Sequence, residues 1–129
     1  MSGKTSFLTN SIVMRNFREL EVWQLGMQLA IDIYPCTETW PDIHRFRLTA
    51  QILASSSAIP TNIAEGCSRS SDRDFKRYLE YALGEAFEFE TQTLIAHAYK
   101  LLSAEECREF VDRVQLIQRK VAAFIQSLS

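Results

Sequence analysis

The chain has 129 residues, 47% of them hydrophobic and 23% charged, with a formal net charge of -2. That is one domain's worth of sequence, enough to bury about two thirds of its unfolded surface, and it excludes disorder for most of the chain. Four glycines and three prolines are too few for an all-β fold with many tight turns. No glycine-rich phosphate cradle is spelled out, and no apolar run approaches the roughly 18 residues of a membrane span.

Residues 1–17 are polar and without period, and are expected to form a flexible N-terminal arm ahead of a single domain over 18–129. The first helix is expected from Arg18 to Tyr34. At 100° per residue it carries two apolar stripes. One holds Leu20, Trp23, Met27, Ala30, Ile31 and Tyr34, and the other holds Val22, Leu25, Leu29 and Ile33. A surface helix needs one stripe, so this helix touches two things: its own bundle and either a further neighbour or another subunit. Pro35 is expected to end or kink it.

A second helix is expected from Phe46 to Glu65, with Leu48, Ile52, Ile59 and Ile63 in register and small residues from Ala54 to Ala58 where a partner backbone can come close. Pro60 lies within it, which predicts a kink, or else two short helices broken at Ser57. Gly66 is placed as a left-handed cap. Ser71 then opens a third helix over Asp72 to Leu102, again with two stripes. Phe75, Tyr78, Leu79, Ala82, Ala86 and Phe89 lie on one, and Leu83, Phe87, Leu94 and Ala98 on the other. Ser103 with Glu106 three residues on is a capping-box signature for a fourth helix carrying Phe110, Val114, Ile117 and Val121. No strand is expected. Four helices joined by short connections predict an all-α fold, an antiparallel up-down-up-down four-helix bundle. The second stripes nominate Val22, Leu25, Leu29, Ile33, Leu83 and Phe87 as the interface between copies.

Catalytic chemistry has little to stand on. The cysteines Cys36, Cys67 and Cys107 are odd in number and lie far apart. They read as small apolar residues in a reducing cytoplasm rather than as disulfides or zinc ligands. Neither His44 nor His97 belongs to a metal-binding spacing, so no metal or cofactor is expected. The run Ser55-Ser56-Ser57 has no adjacent base to activate a nucleophile. The candidate site is basic. Arg69, Arg73, Lys76 and Arg77 surround the start of the third helix, where free N–H groups and the helix dipole favour an anion such as phosphate. Arg45 and Arg47 extend the same positive stretch, while Asp72 and Asp74 oppose it. An ordinary charged helix start is the competing reading.

Three segments carry a resemblance. They are Phe17-Arg18-Glu19-Leu20-Glu21-Val22-Trp23-Gln24, then Leu48-Thr49-Ala50-Gln51-Ile52 with Ile59-Pro60-Thr61-Asn62-Ile63-Ala64-Glu65-Gly66, and then Phe75-Lys76-Arg77-Tyr78-Leu79 through Ala82-Leu83-Gly84 and Glu90-Thr91-Gln92. In order and over 17–102 the chain resembles the four-helix bundle proteins, also called intervening-sequence proteins because members are encoded inside insertions in bacterial large-subunit rRNA genes. The resemblance implies a homopentamer around a central channel, with the second helix kinked at Pro60. Distant relatives serve as accessory proteins of reverse transcriptases in diversity-generating retroelements. The implied partners are therefore further copies of the chain, structured RNA or DNA, and a reverse transcriptase. Two departures weaken the nucleic-acid part. Leu53 and Ala54 stand where relatives often carry a basic pair, and only Arg69 remains of a second pair after Glu65-Gly66.

Overall fold

The computed structural model describes residues 8–9, 12–13 and 15–128. Four helices make an all-α bundle: α1 (Glu21–Thr37), α2 (Leu48–Cys67), α3 (Asp72–Ala98) and α4 (Ala104–Ser127). A short antiparallel pairing that the sequence did not announce, β1 (Leu8–Thr9) with β2 (Ile12–Val13), precedes them. The arm expected over 1–17 falls largely outside the described residues. Arg15 and Phe17, however, belong to the packed body. Arg15 is buried, and Phe17 opens a 3-10 turn whose ring meets Trp23 edge-on at 5.2 Å.

The helices form a square in which α1 packs on α2, α2 on α3, α3 on α4 and α4 on α1; no diagonal pair packs among the described residues. Each helix contributes residues three, four or seven apart to one core. Leu29 and Ile33 meet Ile52, Ile59 and Ile63, then Phe75, Leu79 and Phe89, then Val114, Ile117 and Val121. Polar ties alternate in direction along the square. Ser55 Oγ lies 2.6 Å from Gln92 Oε1, Gln118 Nε2 donates to Glu90 at 2.8 Å, and Arg113 pairs with Asp32 at 2.9 Å. Lys120 pairs with Glu21 at 3.1 Å.

Both expected helix starts after α2 hold. Ser71 Oγ accepts from the Asp74 N–H at 3.1 Å, and Ser103 with Glu106 closes a full capping box. The helix ends differ. α1 runs past Pro35 to Thr37, because the proline carbonyl still accepts, from the Glu38 N–H at 3.3 Å. α2 continues unbroken through Pro60, so the two-helix alternative at Ser57 does not hold. α3 stops at Ala98, four residues early. Lys100 takes a left-handed φ of 65°, and the Leu101 N–H reaches back to Ala96 O at 2.9 Å, a Schellman closure with lysine where glycine is usual.

Gly66 is the clearest correction. It is not a left-handed cap: no described glycine has positive φ, and Gly66 lies inside α2. Its role is clearance. A Cβ there would sit 2.8 Å from Tyr78 Cβ and 2.9 Å from Phe75 Cδ1, so a hydrogen is all that fits where α3 crosses α2. We expect Gly66→Ala to lose about 1–3 kcal/mol by overpacking, despite the roughly 1 kcal/mol that alanine gains in helix propensity. Gly84→Ala is the control: its Cβ meets nothing within 4 Å, so it should gain up to about 1 kcal/mol. Urea midpoints at constant m would show the two shifts with opposite sign.

Candidate functional site

Two surfaces stand out: the corner where α2 turns into α3, and the outer groove between α1 and α2. At the corner, four residues separate the helices, and α3 begins with its N–H groups toward solvent. Arg15 is the buried pin. Its backbone N–H donates to Cys67 O at 3.3 Å, its guanidinium pairs with Asp72, and its plane lies 4.1 Å from the Phe75 ring centroid. Asp72, expected to oppose the basic cluster, is thereby neutralised from inside.

The structure brings Arg69, Arg73, Lys76 and Arg77 together but does not leave them equal. Arg69 pairs with Glu65 at 2.8 Å, donates to the Tyr78 hydroxyl at 2.7 Å and stacks over that ring. Arg77 faces Asp74 at 3.6 Å, and its guanidinium lies 5.5 Å from the Tyr78 ring centroid. Arg73 is exposed and has no ion pair among the described residues, and Lys76 lies half-buried one turn on. A polar hollow lined by Ser71, Arg73, Lys76, Arg77 and the acids Asp74 and Glu80 lies between them. Arg45 and Arg47 do not join this cluster. They stand at the opposite end of α2, whose 20 residues span about 30 Å.

The groove is apolar. Trp23, Met27, Ala30, Ile31 and Tyr34 on α1 face Leu53, Pro60, Thr61 and Ala64 on α2 across roughly 830 Å³. Ile31 is 55% exposed and Tyr34 53%. Beneath the groove the buried Gly26 lets α1 come close to α2, since a Cβ there would meet Ile59 and Pro60 at 3.1 and 3.3 Å.

Burial takes three of the interface residues expected from the sequence out of reach of another copy. Val22, Leu29 and Ile33 are core residues of the protomer, the last two wholly buried, and Leu25 packs half-buried against the same core. The stripes of α1 are real but exchanged. The branched aliphatic stripe fills the interior, and the stripe rich in Trp, Met and Tyr faces out. Residue type carries that signal, because interface patches favour aromatics and methionine. On α3, Leu83 is half-buried and Phe87 is 54% exposed.

Titratable chemistry is sparse. No three His, Cys, Asp or Glu residues are placed to hold a metal among the described residues. The hydroxyls of Ser56 and Ser57 donate to helix carbonyls one turn back and that of Ser55 donates to Gln92 Oε1 at 2.6 Å, which occupies the serine run structurally. Burial, then the neighbouring Glu88, raises the Glu85 carboxyl above its ordinary range. Cys36, Cys67 and Cys107 are free thiols.

The fold is that of an all-α four-helix bundle, and no helix among the described residues is long and apolar enough to cross a membrane. The chain belongs to the 23S rRNA-intervening sequence protein family, whose model matches residues 18–123. A solved structure from Bacteroides thetaiotaomicron, a protein of unknown function from the S23 ribosomal protein family, superimposes with a TM-score of 0.73 at 23% identity. The match covers 81% of this chain and 97% of that one, and it shows the shared fold. No curated protein matches the sequence.

Burial pushes the Cys67 thiol up to about 11, against a smaller pull downward from Arg15. A thiol raised in the folded state stabilises the fold fully below its unfolded pKa of about 8.5, and that stability is lost as pH rises toward the folded value. Unfolding free energy should therefore fall by about 2–3 kcal/mol between about pH 8.5 and 11. Cys67→Ala should flatten that segment of the profile, as followed by chemical denaturation.

Proposed function

We propose that this protein is a non-enzymatic bundle that assembles with copies of itself, a homopentamer, and serves as an accessory protein rather than a catalyst. The α1–α2 groove carries this reading. A monomer in water gains nothing by exposing Ile31 and Tyr34 beside half-buried Trp23 and Met27 along one trough. The outer face of α3 exposes a second, different apolar set: Tyr81, Phe87 and Leu94. Two unlike patches on one protomer suit a head-to-tail contact, and such contacts close into rings when the rotation permits.

The test is mass in solution. The parent should scatter as a multiple of 14.8 kDa, fivefold by this reading, and Met27→Glu with Ile31→Glu should give the single-chain mass with helical circular dichroism retained. A parent already at the single-chain mass, or a variant that keeps the parent mass, overturns the groove as the interface.

A second reading concerns the corner. Arg73, exposed beside the N–H groups of α3, favours contact with a polyanion such as structured RNA or DNA, alone or held by a reverse transcriptase. Repetition around a ring would multiply a weak contact. Arg73→Ala with Lys76→Ala should reduce the slope of log affinity against log salt by about 1.4–1.8 for a duplex or hairpin RNA, since each lost phosphate contact removes about 0.7–0.9. An unchanged slope removes the corner, leaving a protein-binding scaffold with no nucleic-acid role.

A further inference from the structure

The far end of the bundle has a different character from the corner. There the α1–α2 connection lies against the α3–α4 turn through His44 and Tyr99, whose rings stack 5.9 Å apart at 28°. Phe46 is 86% exposed, the most open large apolar side chain described, and the Arg45 guanidinium lies 5.5 Å from its ring. Arg47 and Lys100 flank these rings, both exposed, and Tyr99 is itself 59% exposed. A hydrophobic core explains none of this, because these side chains cover nothing.

Charge is sorted across the same end. From Ile43 to Ala64 and from Thr91 to Ala104 there is no Asp or Glu, so the α2–α3 side carries cations alone over those runs. The acids of this end, Glu38, Asp42, Glu105 and Glu106, lie on the connection before Ile43 and at the start of α4. The surface continues along the bundle. One helical turn beyond Arg47 is Gln51, and one turn before Tyr99 is Ile95. Those two help line an outer α2–α3 hollow of about 470 Å³ with Phe87, Thr91 and Gln92, which ends at Glu88.

We propose that this end binds single-stranded nucleic acid. Unpaired bases stack on Phe46 and on the Tyr99–His44 pair, while Arg45, Arg47 and Lys100 hold the backbone phosphates. Exposed rings interleaved with cations are what a single strand needs, since every base has a flat face and every linkage a charge. A duplex hides its base faces, so the rings add nothing to duplex binding. This proposal is independent of the ring assembly and of the α3 corner, which lies about 30 Å away along α2.

The experiment is fluorescence anisotropy with a labelled dodecathymidylate, its RNA counterpart and a duplex of the same length, each over a salt series. The parent should bind the single strands more tightly than the duplex. Phe46→Ala with Tyr99→Ala should weaken single-strand binding by about tenfold or more with the salt slope unchanged. Arg45→Ala with Arg47→Ala should instead lower the slope by about 1.4. All four positions are exposed, so folding is not at risk, and an unchanged scattering mass separates this result from any effect on assembly. Arg73→Ala with Lys76→Ala should leave the loss caused by the ring substitutions intact. The proposal fails if the ring variant binds the dodecamer like the parent, or if the duplex binds as tightly as the strand. It also fails if vesicles of phosphatidylserine and phosphatidylcholine are bound while the dodecamer is not, which would make the surface a lipid contact.

Discussion

The close crossing of α2 and α3 at Gly66 sets the rest of the molecule. With only a hydrogen at that position, α3 can start with four residues between it and α2 and still bury Phe75 in the core. Phe75 is then wholly buried, and it becomes the platform on which Arg15 rests. Arg15 in turn ties the segment before α1 to Cys67 and Asp72. One missing methyl group thus supports the reversal of the chain, the anchoring of its N-terminal segment and the cancellation of the acid that opens α3. Burying a guanidinium is costly unless it is paired and stacked, and here it is both.

The same closeness decides what is left outside. Where α1 meets α2, Gly26 and Pro60 nearly touch, and the buried face of α1 is fully used by Val22, Leu29 and Ile33. A 17-residue helix held this tightly offers its partners a limited arc, so the second stripe has no intrachain neighbour to cover it. The groove along Trp23, Met27, Ile31 and Tyr34 is a consequence of core geometry as much as of sequence. Its depth comes from small residues below and large ones at its walls.

How much of this was legible in the residues depends on range. Period and N-caps are local, and the residues spell them out: four helices, with Ser71 and Ser103 as N-caps. Which of two stripes faces inward is not local. On α1 both have helical spacing, and only the chemical contrast between branched aliphatics and Trp, Met and Tyr distinguishes them. Gly66 illustrates the same limit. Next to the end of a periodic run, a glycine reads as a cap, and only the position of Tyr78 and Phe75 on the next helix shows that it provides clearance. The six cations once grouped by sequence separate for an equally simple reason, because α2 lies between Arg47 and Arg69 as a rod. Lys100 in the left-handed region had no sequence signal at all, since lysine is not the residue that usually takes it.

The surfaces are arranged so that they do not compete. The groove runs along the side of the bundle, whereas the two cationic ends cap it top and bottom and draw on different helix termini. In a closed cyclic assembly all copies point the same way, so each end would be repeated on one face of the ring. The corner end presents cations already braced by acids and by Tyr78, a rigid arrangement suited to fixed phosphate spacing. The far end presents open rings with exposed cations, Arg45 resting over Phe46 at 5.5 Å and Arg47 and Lys100 beside it in sequence or across the turn. Between the two ends the middle of α3 is acidic, with Glu80, Glu85, Glu88 and Glu90 and no base from Glu80 to Glu90, and Gln115 and Gln118 of α4 bond Glu90 there.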